Sequence, residues 1–191
     1  MSSPAEREPS APTQDADGLV ARRRLYVEFG DAILGDRDAS EPDAFARLRL
    51  AGTAIVKLLG DQGHADAPAN ERATLRGLHE RILAWMREEP VDAVLGLSLW
   101  REVVDAIDAV MRVNDEPALL THDLVALRAC LDHLEAGDLS ACRERAGSLV
   151  GRDAALDRRI RGAAPTAALR ASLRRVLLSL VREQARRSRR R

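Results

Sequence analysis

Aromatic side chains are nearly missing: the 191 residues hold only Tyr26, Phe29, Phe45, Trp85 and Trp100. β-Sheets draw on aromatic and β-branched residues, so this scarcity, beside 27 Leu and 32 Ala, argues for helices. Cysteine is as sparse, and Cys130 and Cys142 alone are too few for a disulfide framework at this length. The only asparagines, Asn70 and Asn114, open no Asn-x-Ser/Thr acceptor. Lysine is reduced to Lys57 against 29 Arg, which reads as GC-rich coding before it reads as arginine chemistry. The longest apolar runs, 94–100 and 176–181, fall far short of the ~20 residues that span a bilayer. Residues 1–18 carry Pro4, Pro9 and Pro12 with scattered charges and no apolar run, unlike a secretory signal. The expectation is an intracellular, soluble, cytoplasmic protein. Apolar residues at 46% exclude a chain disordered throughout.

The common signatures of chemistry are also missing. There is no Gly-rich phosphate loop, no Cys-x-x-Cys and no pair of His around a Glu on one helix, which removes the usual nucleotide and zinc-protease readings. Di-metal bundles need Glu-x-x-His, and none occurs. His122 and His133 share a helical strip but lie about 16 Å apart along the axis, too far to bind one ion at bond lengths near ~2 Å. Glu102, Asp105 and Asp108 read as a solvated acidic edge, and His79 as a surface or boundary residue. Cys130 and Cys142 read as small apolar core groups, and the two tryptophans as packing residues.

What is present is helical periodicity. Leu19, Tyr26, Phe29 and Ile33 share one face; Phe45, Leu48, Gly52, Ile55 and Leu59 share a second. Leu75, Leu78, Ile82 and Trp85 make a third helix closed by Pro90. A fourth runs from 91 toward 113, with Gly96 as a kink or break, and its wide stripe over 100–111 makes it the expected central helix. Leu120, Leu124, Leu127, Leu131 and Leu134 step four and three, a narrow seam ended by Gly137. Leu139, Cys142, Ala146 and Leu149 continue it, and a last pair covers 153–161 and 166–187. A helix-turn-helix over 154–178 is disfavoured, because its reader helix spends its apolar face on Leu and Val and its turn is too long.

Zero net charge hides a split. Residues 152–191 hold 13 Arg against Asp153, Asp157 and Glu183, a net of +10, and the rest of the chain carries −10. In the last helix Leu169, Leu173, Val176, Leu177, Leu180 and Val181 share a face, with the arginines largely away from it. A packed terminal helix with a solvated Arg face is the plainest reading. Contact with nucleic acid, with a partner or the acidic body, or with anionic membrane are the others, and scarce aromatics argue against single-strand stacking.

The succession 99–113, then 123–134 (Asp-Leu-Val-Ala-Leu-Arg-Ala-Cys-Leu-Asp-His-Leu), then 138–150 resembles the consecutive central and C-terminal helices of the poxvirus Bcl-2-like host-signalling inhibitors, loosely over 19–150. The resemblance implies an α-helical, non-enzymatic protein that binds a signalling adaptor or transcription-factor component, in host cytoplasm or nucleus. It assigns no site residue.

The expected fold class is therefore all-α: a single bundle of seven or eight helices over 19–181, with a disordered polar arm at 1–18 and an Arg-rich tail at 182–191. No catalytic, cofactor or metal site is assigned. The expected function is that of a non-enzymatic interaction or regulatory protein with a protein partner, homo-oligomers left open and membranes not expected. The alternative is a nucleic-acid binder. Either contact would use Arg174, Arg175, Arg182, Arg186, Arg187, Arg189, Arg190 and Arg191.

Overall fold

The spacing of Tyr26, Phe29 and Ile33 is realised in a first helix, α1 (Thr13–Leu34), where all three are buried. The computed structural model describes residues 13–34, 44–61, 64–65, 67–88, 90 and 92–190. Within them follow α2 (Ala44–Gly60), α3 (Ala69–Trp85), α4 (Ala93–Val110), a 3-10 turn (Met111–Asp115), α5 (Pro117–Glu135), α6 (Leu139–Ala146), a second 3-10 turn (Gly147–Leu149), α7 (Ala154–Arg161) and α8 (Thr166–Ser188). The described residues contain eight α-helices and no strand, the expected all-α bundle.

Local chemistry places the starts. Pro117 occupies the first turn of α5, where its missing N–H costs nothing. Asp138 and Asp153 cap α6 and α7 by accepting from Ala141 N–H at 2.9 Å and Leu156 N–H at 2.8 Å, worth about 1 kcal/mol each. The ends differ from the sequence expectation. Helix α1 begins at Thr13, inside the expected 1–18 arm, because Ala16 finds a buried site; residues 1–12 lie outside the described residues. Helix α8 runs on through Ser188, inside the expected 182–191 tail.

The core lies in two clusters. Tyr26 and Phe29 of α1, Leu48 and Ile55 of α2, Ile82 and Trp85 of α3, and Leu99 and Val103 of α4 form the first. Leu124, Leu127 and Cys130 of α5, Cys142 of α6, Leu156 of α7, and Leu169 and Leu173 of α8 form the second. Helix α5 joins them: Leu119 points into the first cluster and its neighbour Leu120 into the second. This corrects the expectation that the helix over 100–111 is central. Within that span Val103, Ala106 and Ile107 are buried as expected, but in the first cluster alone, so the helix is central to that cluster and not to the whole bundle.

Gly96 does not break α4, which is continuous. It makes room for a neighbour: a Cβ there would sit 2.5 Å from Trp85 Cζ2. Trp85 is buried and donates its Nε1–H to Asp92 O at 2.7 Å, which fixes the connection between α3 and α4.

Candidate binding surface on the last helix

Helix α8 is laid on the body by a line of side chains stepping four and three. Leu169, Leu173, Val176 and Leu180 are buried against the second cluster. The same steps continue to Glu183 and Arg187, so the apolar line ends in a charged pair. Arg187 Nε donates to Glu183 Oε1 at 2.8 Å, and Arg187 Nη2 lies 3.6 Å from Asp115 Oδ1 in the turn after α4. This hydrogen bond, with Arg186 nearby, lowers the Glu183 carboxyl below its ordinary range. Arg187 therefore belongs to the docked side of the helix, not to a free tail.

The other arginines lie opposite. At 100° per residue, Arg175, Arg182, Arg186 and Arg189 fall within an arc of about 60° and span about 21 Å of axis. Arg174 flanks them, and Leu178 sits among them 58% exposed. The single acid of α8, Glu183, is off this arc. Arg174 approaches Glu135 at 3.8 Å, Arg175 meets Asp153 at 3.2 Å, and Arg186 meets Glu183 at 3.0 Å. Arg182, Arg189 and Arg190 are exposed and form no ion pair among the described residues. Arg191 lies outside the described residues. Of the eight arginines expected at a contact, the structure thus places Arg174, Arg175, Arg182, Arg186 and Arg189 on one side and turns Arg187 away.

A second charged assembly is buried between the two clusters. Arg23 of α1 and Asp123 of α5 are both fully out of solvent, and the Arg23 fork donates to Asp123 at 2.7 and 3.0 Å. Arg23 also reaches Asn114 Oδ1 at 3.2 Å and the Ser148 carbonyl. Arg152 Nε donates to the same carboxylate at 2.6 Å. Burial alone would raise the Asp123 carboxyl; the Arg23 and Arg152 guanidinium groups outweigh it and hold the group below its ordinary range. Gly151 closes the assembly with φ +90°, and a Cβ there would meet Val27 at 2.6 Å and Arg23 at 2.9 Å. Its N–H donates to Asp157, whose carboxyl burial pushes up against that bond. Arg23 Nε and Arg152 Nη2 stay buried there without a hydrogen-bond partner among the described residues.

Helical spacing within α1 or α5 does not pair these residues with one another. The available signal was a charge inside an apolar period: Arg23 lies three residues before Tyr26, and Asp123 lies three after Leu120 and four before Leu127. His64 forms a further polar contact in the interior. It is fully buried, edge-on to Tyr26 at 5.6 Å, and its Nε2 is 3.2 Å from Glu71, which also receives the Tyr26 hydroxyl. Burial lowers the His64 pKa against the pull of Glu71, and raises that of Tyr26 with help from the same carboxylate.

Elsewhere, Glu102 pairs with Arg81, with one bond at 2.8 Å, as the solvated edge of α4. Cys130 and Cys142 are both free and buried, and Cys130 Sγ approaches Cys142 O at 3.6 Å. Burial pushes the Cys130 thiol up to about 12. Among the described residues no three His, Cys, Asp or Glu side chains converge as metal ligands, and no helix is long and apolar enough to cross a membrane. No family model, no curated protein and no solved structure matches the chain.

Proposed function

We propose that this is a non-enzymatic binding protein whose partner is double-helical nucleic acid, held through its phosphates by the arginine face of α8. The observation that carries the reading is the exposed arc of Arg175, Arg182, Arg186 and Arg189 with no acid within it. Clustered Arg displaces condensed counterions from a phosphate backbone. The wide apolar side of α8 is already buried in the second cluster, and the two large apolar groups left exposed, Leu178 and Val181, are too few to seat the helix in a lipid surface. Protein interfaces centre on buried Trp and Tyr as well as Arg, and this face offers arginine with no aromatic beside it. The same lack of aromatics disfavours stacking on unpaired bases, which leaves the duplex backbone.

The test is fluorescence anisotropy of a labelled DNA duplex with the full chain over a salt series. Affinity is expected to fall steeply with salt, and Arg182→Ala with Arg186→Ala to reduce the slope of log K against log salt by about 1 to 2. Absence of binding at low salt, or an unchanged slope in the double variant, would sink the reading.

A second reading follows the resemblance to poxvirus Bcl-2-like proteins, in which the chain regulates by holding a helix of a protein partner. It is favoured by an apolar groove of about 210 Å³ between α1 and α2, lined by Leu25, Phe29, Leu50, Ala54 and Leu58. Leu50 is 56% exposed there. Pull-down of a partner that survives removal of residues 182–191 but is lost in Leu50→Glu would support it; loss on the truncation alone would remove it.

A further inference from the structure

We infer that the arginine face carries its own competing anions, so that a duplex binds by displacing carboxylates of this same chain. This rests on the duplex-binding reading above and adds how that surface is regulated.

The arginines of the exposed side are of two kinds. Arg182 and Arg189 form no ion pair among the described residues. Arg174, Arg175 and Arg186 each meet a carboxylate, and these carboxylates come from three separate places: Glu135 at the end of α5, Asp153 just before α7, and Glu183 on α8. Glu135 and Asp153 reach the face from outside α8, and Glu183 lies off the arc on α8 itself.

The pairs are loose enough to exchange. Arg174 and Glu135 are 60% and 65% exposed and 3.8 Å apart, so water and salt screen them. Two of the three acids are held from outside the face. Asp153 Oδ1 also caps α7 by accepting from Leu156 N–H, and Glu183 is tied to Arg187, which is itself anchored near Asp115. When a phosphate competes, the arginine swings and the carboxylate stays.

This arrangement has a thermodynamic signature. Each phosphate contact releases condensed cations from the duplex, but each carboxylate left behind takes up a cation again. The salt slope of the native chain is then shallower than its arginine count implies, and removing a competing carboxylate both tightens binding and steepens the slope.

The experiment uses the full chain, the labelled duplex and three variants: Glu135→Gln, Asp153→Asn and Asp105→Asn. Asn preserves the α7 cap, so the second variant keeps its fold. Asp105 is an exposed acid on α4 and supplies the same charge change away from α8. Glu135→Gln and Asp153→Asn are each expected to tighten binding about two- to five-fold, with a steeper slope, as expected for losing an exposed ion pair. Asp105→Asn is expected to change affinity less than about two-fold. Equal tightening in all three variants would reduce the effect to net charge and overturn the inference, as would an unchanged affinity and slope in the first two. Duplex binding that persists while those variants are silent removes this inference alone. Binding that ignores Arg182→Ala and Arg186→Ala removes the surface itself.

Discussion

Arg23 and Asp123 lie one hundred residues apart in the chain, yet their side chains meet through two hydrogen bonds with neither exposed to solvent. They tie α1, which belongs to the first apolar cluster, to α5, which closes the second. A buried ion pair contributes little net stability over apolar packing, but the loss of one partner strands the other charge.

Asp123→Asn is therefore expected to destabilise the protein by about 3–5 kcal/mol, because Arg23 and Arg152 lose the one carboxylate that holds both. The measurement is urea denaturation at neutral pH. Replacing Arg23, Asp123 and Arg152 together by Met, Leu and Met is expected to recover much of the loss. A triple variant as unstable as the single one would show that shape, not charge, governs this site.

The same residue sets an acid limit. Asp123 is held below its ordinary pKa of 3.8, so its contribution is fully present above that value and is lost as pH falls through the lower folded one. Asp157, raised by burial, works in the opposite sense and gains stability as it is protonated. Wild type should therefore lose stability below about pH 4, and Asp123→Asn should show a flatter acid limb in denaturation followed over that range. An identical limb in both proteins would remove Asp123 from the account.

Two glycines should respond in opposite directions. Gly96→Ala forces a methyl into the Trp85 ring and is expected to cost about 1–3 kcal/mol. Gly77 lies within α3 with nothing near a built Cβ, so Gly77→Ala is expected to stabilise by about 0.5–1 kcal/mol. Thermal melts of the two variants check both signs. A stabilising Gly96→Ala would mean that Trp85 repacks freely.

Leu127 is fully buried in the second cluster. Leu127→Asp should cost several kcal/mol, roughly 3–5, by placing an unpaired charge in an apolar site. An unchanged melting temperature would count against this seam as core.

The two thiols offer a probe of the same region. Cys130 and Cys142 are buried, and the Cys130 thiol is pushed up to about 12, so the thiolate is scarce at neutral pH. Iodoacetamide is expected to label neither cysteine in the folded protein and both in denaturant, read by mass spectrometry. Rapid native labelling of Cys130 would show that the second cluster opens.

For α8, amide hydrogen exchange at low and high salt separates packing from charge. Residues 166–181 should stay protected at both salts, since Leu169, Leu173 and Val176 hold them. Residues 182–188 should exchange faster at high salt, since the Arg187 contacts with Glu183 and Asp115 are partly exposed and screened. Fast exchange along the whole helix at both salts would show that α8 does not dock.

Periodicity along the chain is enough to place the helices and most of the core. The steps of three and four at Tyr26, Phe29 and Ile33, and at Leu120, Leu124 and Leu127, are local facts, because the face a residue occupies depends only on its neighbours in the same helix. The arginine arc of α8 was legible for the same reason. Which faces meet follows only from packing between helices. That packing divided the core into two clusters, moved the joining role from α4 to α5 at Leu119 and Leu120, and turned Arg187 inward toward Asp115. It also paired Arg23 with Asp123 and emptied the space at Gly96 for Trp85. Each of these depends on groups far apart in the chain, and periodicity within one helix carries no information about the partner across the interface. A charge inside an apolar stripe shows that a counter-charge is needed; only the packed fold brings the particular carboxylate to it.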